Sequence, residues 1–224
     1  MSERTCIIMF SGGRDSTLAA IRLSRAWDRL VLVTVTSAGM KGLARVSRRL
    51  SELRLLLPAN TCWVHVSFQE EPHRDGGAQT CLTCHQAYIV AGITVANKFQ
   101  ANHIALGYSG YQSGWAEQTP YAIMKLNEVL TAHGFSLLLP VTDIVRKEDA
   151  LRELRSNDLS DEALEQKCVR QIIDPGLTGD SLHKEVDEWA KDLANAMTNI
   201  DQASLQMIAT QHFNDPSFDD IPHT

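Results

Sequence analysis

A chain of 224 residues, 44% hydrophobic and 21% charged, has the composition of an ordinary globular protein, long enough for one full core and an appendage. Its net charge of −6 argues against a protein that coats nucleic acid, but leaves room for a local basic face. No apolar run reaches membrane-spanning length and the start, Met1-Ser2-Glu3-Arg4-Thr5, is too polar for a secretory signal, so the five cysteines are expected as reduced thiols or metal ligands in a cytoplasmic protein with no membrane partner.

Cys6 to Phe10 reads as a first strand, buried on both faces. Ser11-Gly12-Gly13-Arg14-Asp15-Ser16-Thr17 follows, and a helix is expected from Asp15 to Trp27. A strand, a glycine turn and a helix start in so short a span suit an anion. The glycines let backbone approach closely, and the first helical N–H groups point outward at the positive end of the dipole. Ser11, Ser16 and Thr17 add hydroxyls, and Asp15 either holds a magnesium ion or caps the helix. Arg14 reaches a phosphate or is a solvated side chain.

Leu30 to Thr36 is a β-branched run and the clearest strand. Thr36 and the loop Ser37-Ala38-Gly39-Met40 sit where an open sheet contacts adenine or ribose. Lys41 to Leu57 reads as a helix carrying Lys41, Arg45, Arg48, Arg49 and Arg54 against one Glu52. It is either a solvated face or a phosphate or RNA contact. Cys62 to Phe68 is a third strand, followed by a polar loop from Gln69 to Thr80. Cys81-Leu82-Thr83-Cys84-His85 opens a helix that runs to about Phe99.

His103 to Tyr108 is a fourth strand and its loop. Gly107 begins the ligand-side loop that extends to Gln118, and Thr119-Pro120 starts the next helix. Leu137 to Val141 is a short fifth strand. Asp143 is expected to cap a helix near Arg146, and Asp161 to Ile173 reads as helical. From Gly179 to Phe213 one or two polar helices carry an apolar stripe through Val186, Trp189, Leu193, Met197, Ile200, Leu205 and Ile208. The stripe docks on the core or joins two copies in a homodimer through these C-terminal helices.

Alternating strands and helices imply an α/β fold: an open, mostly parallel five-stranded sheet with helices on both faces and a helical C-terminal extension. The expected division is an α/β domain over 1–175, the extension over 176–213 and a loose tail over 214–224. Ligands bind such sheets beyond the carboxyl ends of the strands, which is where the loops 11–16, 37–40, 69–84 and 107–118 fall.

Cys6 and Cys62 lie inside strand patterns and read as core. Cys81 and Cys84 form a C-x-x-C pair at a loop–helix junction, where the helix start favours thiolate. Two cysteines hold a metal only with further ligands. Cys168 is the remaining thiol outside a strand, and His85 adjoins the pair. A three-cysteine site stands against a reading of redox-active or incidental thiols plus one core cysteine.

The loop is neither a Walker A motif nor G-x-G-x-x-G. Ser11-Gly12-Gly13-x-Asp15-Ser16 resembles the PP-loop of the ATP pyrophosphatase family. The resemblance implies a Rossmann-like sheet that binds ATP, with Ser11, Gly12, Gly13, Asp15 and Ser16 holding pyrophosphate beside Mg2+. It implies cleavage between the α and β phosphates, transfer of AMP to a substrate oxygen, usually of a carbonyl, and displacement by sulfide or ammonia. Cys81, Cys84 and Cys168 are spaced as in the iron–sulfur tRNA 2-thiocytidine and 2-thiouridine synthetases, where three thiolates hold a [4Fe–4S] cluster with one iron open to sulfide. Leu139-Pro140-Val141 followed by Lys147-Glu148 also resembles that family.

The implied partners are ATP, a small-molecule or tRNA nucleobase and a sulfur donor. Leu106-Gly107-Tyr108 departs from the Thr-Gly-His common there. A weaker resemblance, to the 7-cyano-7-deazaguanine synthases, implies amide activation with zinc (Zn2+). A non-catalytic ATP-binding module of a complex is the third reading.

Overall fold

The computed structural model describes residues 3–37, 39–68, 80–168, 177–200, 205–215 and 218. The elements in chain order are β1 (Thr5–Met9), α1 (Arg14–Ser24), β2 (Arg29–Thr36), β3 (Met40–Lys41), α2 (Leu43–Leu53), β4 (Cys62–Phe68), α3 (Leu82–Lys98), β5 (His103–Ala105), α4 (Pro120–Ala132), β6 (Ser136–Leu138), α5 (Lys147–Ser156), β7 (Lys167–Cys168), α6 (Gly179–Thr198) and β8 (Leu205–His212).

The central sheet runs β6–β5–β1–β2–β4–β8, parallel except for β8. Alternation along the inner strands divides the core into two layers. Ile7, Val31 and Val33 face α3, α4 and α6, while Cys6, Ile8, Leu30 and Leu32 face α1, α2 and α5. Strands covered on both faces have no polar side to show, which is why these runs are continuously apolar. Cys6 and Cys62 are fully buried as expected, and burial pushes the Cys6 thiol up to about 12.

Strand order reverses at β1. The chain proceeds from β1 to β2 and β4 on one side, then crosses to β5 and β6 on the other. The crevice beyond the ends of β1 and β5 is therefore the switch point where ligands bind such sheets. The Gly12-Gly13 turn leaves β1 there, and Gly107 follows β5.

The C-terminal region departs from an all-helical extension. Leu205–His212 is a strand antiparallel to β4, so the sheet has six strands. Leu205, Met207 and Ala209 are half-buried while Gln206, Ile208 and Thr210 are exposed, the period of two that identifies a strand. Leu205 and Ile208, taken at helical spacing, masked it. The rest of the stripe is spent on the core: Val186, Trp189, Leu193 and Met197 are buried as α6 packs on α3 and α4.

Residues 161–168 are not helical either, and 169–173 lie outside the described residues. Instead Lys167 and Cys168 pair antiparallel with Lys41 and Met40. Asp143 does not cap α5, whose N-cap is Arg146. Its Oδ1 accepts from Arg22 Nη1 at 2.5 Å. Among the described residues no helix is long and apolar enough to cross a membrane.

Candidate nucleotide and cysteine site

The turn after β1 is held by its own hydroxyls. Ser16 Oγ and Thr17 Oγ1 donate to the Gly13 carbonyl at 3.2 and 2.6 Å, and Gly13 N donates to Ser11 Oγ at 3.2 Å. Gly12 has φ +78, and a Cβ there would meet the Leu164 carbonyl at 2.9 Å. Only glycine accepts both conditions. Gly13 is the N-cap of α1 and brings no side-chain cap, so the helix start faces the crevice, with the Glu165 carboxylate close beside Gly13.

A cavity of about 350 Å3 opens on this turn. Ser11, Gly13, Arg14, Asp15 and Ser16 form its phosphate-like end, and Val33, Val35, Met40 and Ile89 an apolar side suited to a purine ring. Gly107 lines it too. Its close approach to α1 leaves no room for a side chain, since a Cβ would lie 2.6 Å from Ser16 N and 2.8 Å from Asp15 C. Gly107→Ala is expected to force the two backbones apart, costing about 1–3 kcal/mol and weakening ATP binding. Calorimetric titration with ATP and a melting curve check both effects. Thr36 turns away from the cavity, its Oγ1 lying 2.8 Å from His65 Nε2.

Asp15 lies at the centre of the polar end. Tyr111 Oη donates to its carboxylate at 2.7 and 2.8 Å. Burial raises the Asp15 carboxyl, the Tyr111 bond and the Arg14 charge draw it back, and nearby Glu165 pushes it up again. Burial and the Asp15 bond raise the Tyr111 hydroxyl to about 12, so it stays a donor.

Glu165 belongs to a segment folded over the turn, where Gln166 N donates to the Ser11 carbonyl at 3.3 Å. Arg49, fully buried, pins that segment by donating to the Ser160 and Glu162 carbonyls at 2.8 and 3.1 Å. The basic helix is thus partly internal. Arg48 pairs with Glu162, and Arg54 donates to the Phe213 and Asp215 carbonyls.

The three cysteines lie on elements next to the cavity lining. Cys81 is the N-cap of α3, Cys84 lies in its first turn, and Cys168 faces Met40 across the β3–β7 ladder. All three are half-buried. Each bears on one hydroxyl: burial first, then the thiols of Cys84, Cys168 and Cys81, push Tyr88 well above its ordinary value. Tyr88 Oη donates to Met40 Sδ at 3.5 Å, and both side chains line the cavity.

Among the described residues no three His, Cys, Asp or Glu side chains are arranged to hold a metal ion. His85 does not join the thiols. Its Nδ1 meets Tyr108 Oη at 3.0 Å and its Nε2 meets the buried Glu117 at 3.4 Å. Sequence spacing gave no sign of Tyr111, Glu117 or Glu165 as site residues. Only the loop carrying the first two is legible as ligand-side.

No protein-family model and no curated protein matches the chain. Solved structures do. A 4-thiouridine synthetase in complex with RNA and bound ATP superposes with a TM-score of 0.63 and 14% identity, over 92% of this chain and 55% of that one. The U34-tRNA thiolase NcsA from Methanococcus maripaludis, with its [4Fe–4S] cluster, gives a TM-score of 0.54 and 12% identity, over 90% of this chain and 72% of its own. The chain has the PP-loop fold. It spans about half the length of the 4-thiouridine synthetase. The Gly12-Gly13 turn lies at the switch point between β1 and β5 of that fold.

Proposed function

We propose that the chain is an AMP-forming, ATP-dependent enzyme that activates a carbonyl oxygen of an RNA nucleobase and replaces it with sulfur delivered at Cys81, Cys84 and Cys168. The observation that carries this reading is a shared wall. Tyr88 and Met40 line the PP-loop cavity, Cys168 faces Met40 across the β3–β7 ladder, and the thiols of Cys84, Cys168 and Cys81 all bear on the Tyr88 hydroxyl. Likeness in fold to an ATP-bound thiouridine synthetase and to a tRNA thiolase supports it.

In the first step the substrate oxygen attacks the α-phosphorus. An O–P bond forms, the bond to the β-phosphate oxygen breaks, and the electron pair leaves with pyrophosphate. The N–H groups and hydroxyls of Ser11, Gly13 and Ser16 receive that charge, with Arg14 beside them. Asp15 offers a hard oxygen donor at the same end, as a magnesium ion requires. In the second step sulfur attacks the activated carbon and expels AMP. The rate is gained by holding the reactants in place and balancing charge, without a protein nucleophile in the first step.

Three soft thiols on one hydroxyl fit an iron–sulfur centre or zinc by donor chemistry. Closing them about an ion takes a shift of side chains from the arrangement described. A [4Fe–4S] centre held by three cysteines supplies an iron open to sulfide.

Protein purified without air is expected to carry iron and acid-labile sulfide. Cys81→Ala, Cys84→Ala and Cys168→Ala should each abolish both. Retention in Cys168→Ala alone removes Cys168 from the site. Zinc in place of iron moves the reading to amide activation of the deazaguanine-synthase kind.

A further inference from the structure

The basic stretch divides in two. Its C-terminal arginines are consumed by the fold, Arg48 on Glu162, Arg49 on Glu52 and two carbonyls, and Arg54 on the carbonyls of Phe213 and Asp215. Its start is not. Among the described residues Lys41 and Arg45 have no ion-pair partner, and neither does Lys167.

The β3–β7 ribbon sets Lys41 directly opposite Lys167, both exposed. Like charges opposed on an antiparallel pair weaken it. The Arg45 guanidinium folds back over Gly42, so that any side chain at Gly42 would collide with it. Three cations thus converge on one ribbon in a chain of net charge −6.

The ribbon's other residues fix where the charge lies. Met40 lines the cavity and faces Cys168, and Gln166, next to Lys167, is bonded to Ser11 of the PP-loop. A rim beside the cavity, rather than in it, is of no use to a free nucleobase. It suits a polyanion that passes the cavity and offers a base into it.

We propose that Lys41, Lys167 and Arg45 form a phosphodiester-binding rim that takes the backbone of an RNA strand while one of its bases enters the cavity. The proposal rests on the RNA half of the function given above, and selects RNA over a small-molecule substrate. Each lysine neutralises a backbone phosphate and releases counterions, so affinity falls with salt in proportion to the contacts made.

The test is binding of unmodified tRNA transcript to the full chain over a range of salt, with ATP binding measured alongside. The double variant Lys41→Ala/Lys167→Ala is expected to bind about tenfold more weakly at ~0.1 M salt, with the log–log slope smaller by about 1–2. Lys41→Arg/Lys167→Arg should keep both, and Lys191→Ala on α6 should change neither. Because the lysines repel, the double alanine variant should melt no lower than the parent, and its ATP affinity should be unchanged. An unaltered slope in the double variant would overturn the rim while leaving RNA as substrate. Failure of the parent chain to bind tRNA while it binds ATP would overturn the rim and the choice of RNA, and leave the PP-loop reading intact.

Discussion

Asp15→Asn is expected to cut pyrophosphate release by about a hundredfold or more without lowering the melting temperature. The carboxylate sits at the phosphate end of the cavity, with Tyr111 donating to both its oxygens. An amide keeps the shape and one acceptor for Tyr111. It loses the charge that would face a metal ion, and hence the balance for the departing pyrophosphate.

Stability should move the other way. Burial raises the Asp15 carboxyl above its ordinary value of 3.8 in the folded chain, so folding takes up a proton there. The ionised form is the one that folding disfavours. Its cost is absent well below the ordinary value, grows as pH rises through the interval up to the raised one, and is complete above it. At neutral pH the asparagine escapes that cost. Paired melting curves and pyrophosphate assays measure the two effects together. Turnover close to the parent's would remove Asp15 from the chemistry, and a melting temperature well below it would make the residue structural.

Arg49→Ala is expected to be the most damaging substitution for the fold, at about 3–5 kcal/mol. Its side chain is fully buried, paired with Glu52 at 2.5 Å, and bonded to the Ser160 and Glu162 carbonyls. Removing it strands three acceptors and opens a cavity. The loss should also reach the site, since the pinned segment continues to Glu165, Gln166 and Cys168. Urea unfolding is expected to show a lower midpoint, and alkylation of Cys168 should quicken. A midpoint within about 0.5 kcal/mol of the parent's, the range of ordinary surface changes, would show that the segment is held by other means.

The parts of the fold that the chain announces locally are legible in the sequence. β1 and β2 are mostly apolar runs because they are covered on both faces, β4 breaks its run only at His65 and Ser67, and the Gly12-Gly13 turn lies between a strand and a helix as its composition demands. Cys6 and Cys62 behaved as small apolar residues for the same reason. β8 escaped because Leu205 and Ile208 also fit a helical stripe, and only pairing with β4 decides between the periods.

The site was half legible for a related reason. Ser11, Gly13, Arg14, Asp15 and Ser16 come from one loop, so their convergence is a local property. Tyr111 reaches Asp15 across 96 residues and Arg49 reaches Ser160 across 111. Such contacts leave no period and no spacing in the sequence. Thr36 shows the reverse. It stands at the right end of β2, but its alternation directs it to His65. The grouping of Cys168 with Cys81 and Cys84 rests on analogy of position, and its place opposite Met40 comes from a two-residue ribbon too short to be read from sequence.

The chemistry proposed for the Gly12-Gly13 turn is tested most directly by the nucleotide products formed from ATP, with unmodified tRNA and sulfide, in the absence of air. AMP and pyrophosphate in equal amounts, dependent on the RNA, are the expected result. ADP and phosphate, or ATP bound and returned unchanged, would contradict it.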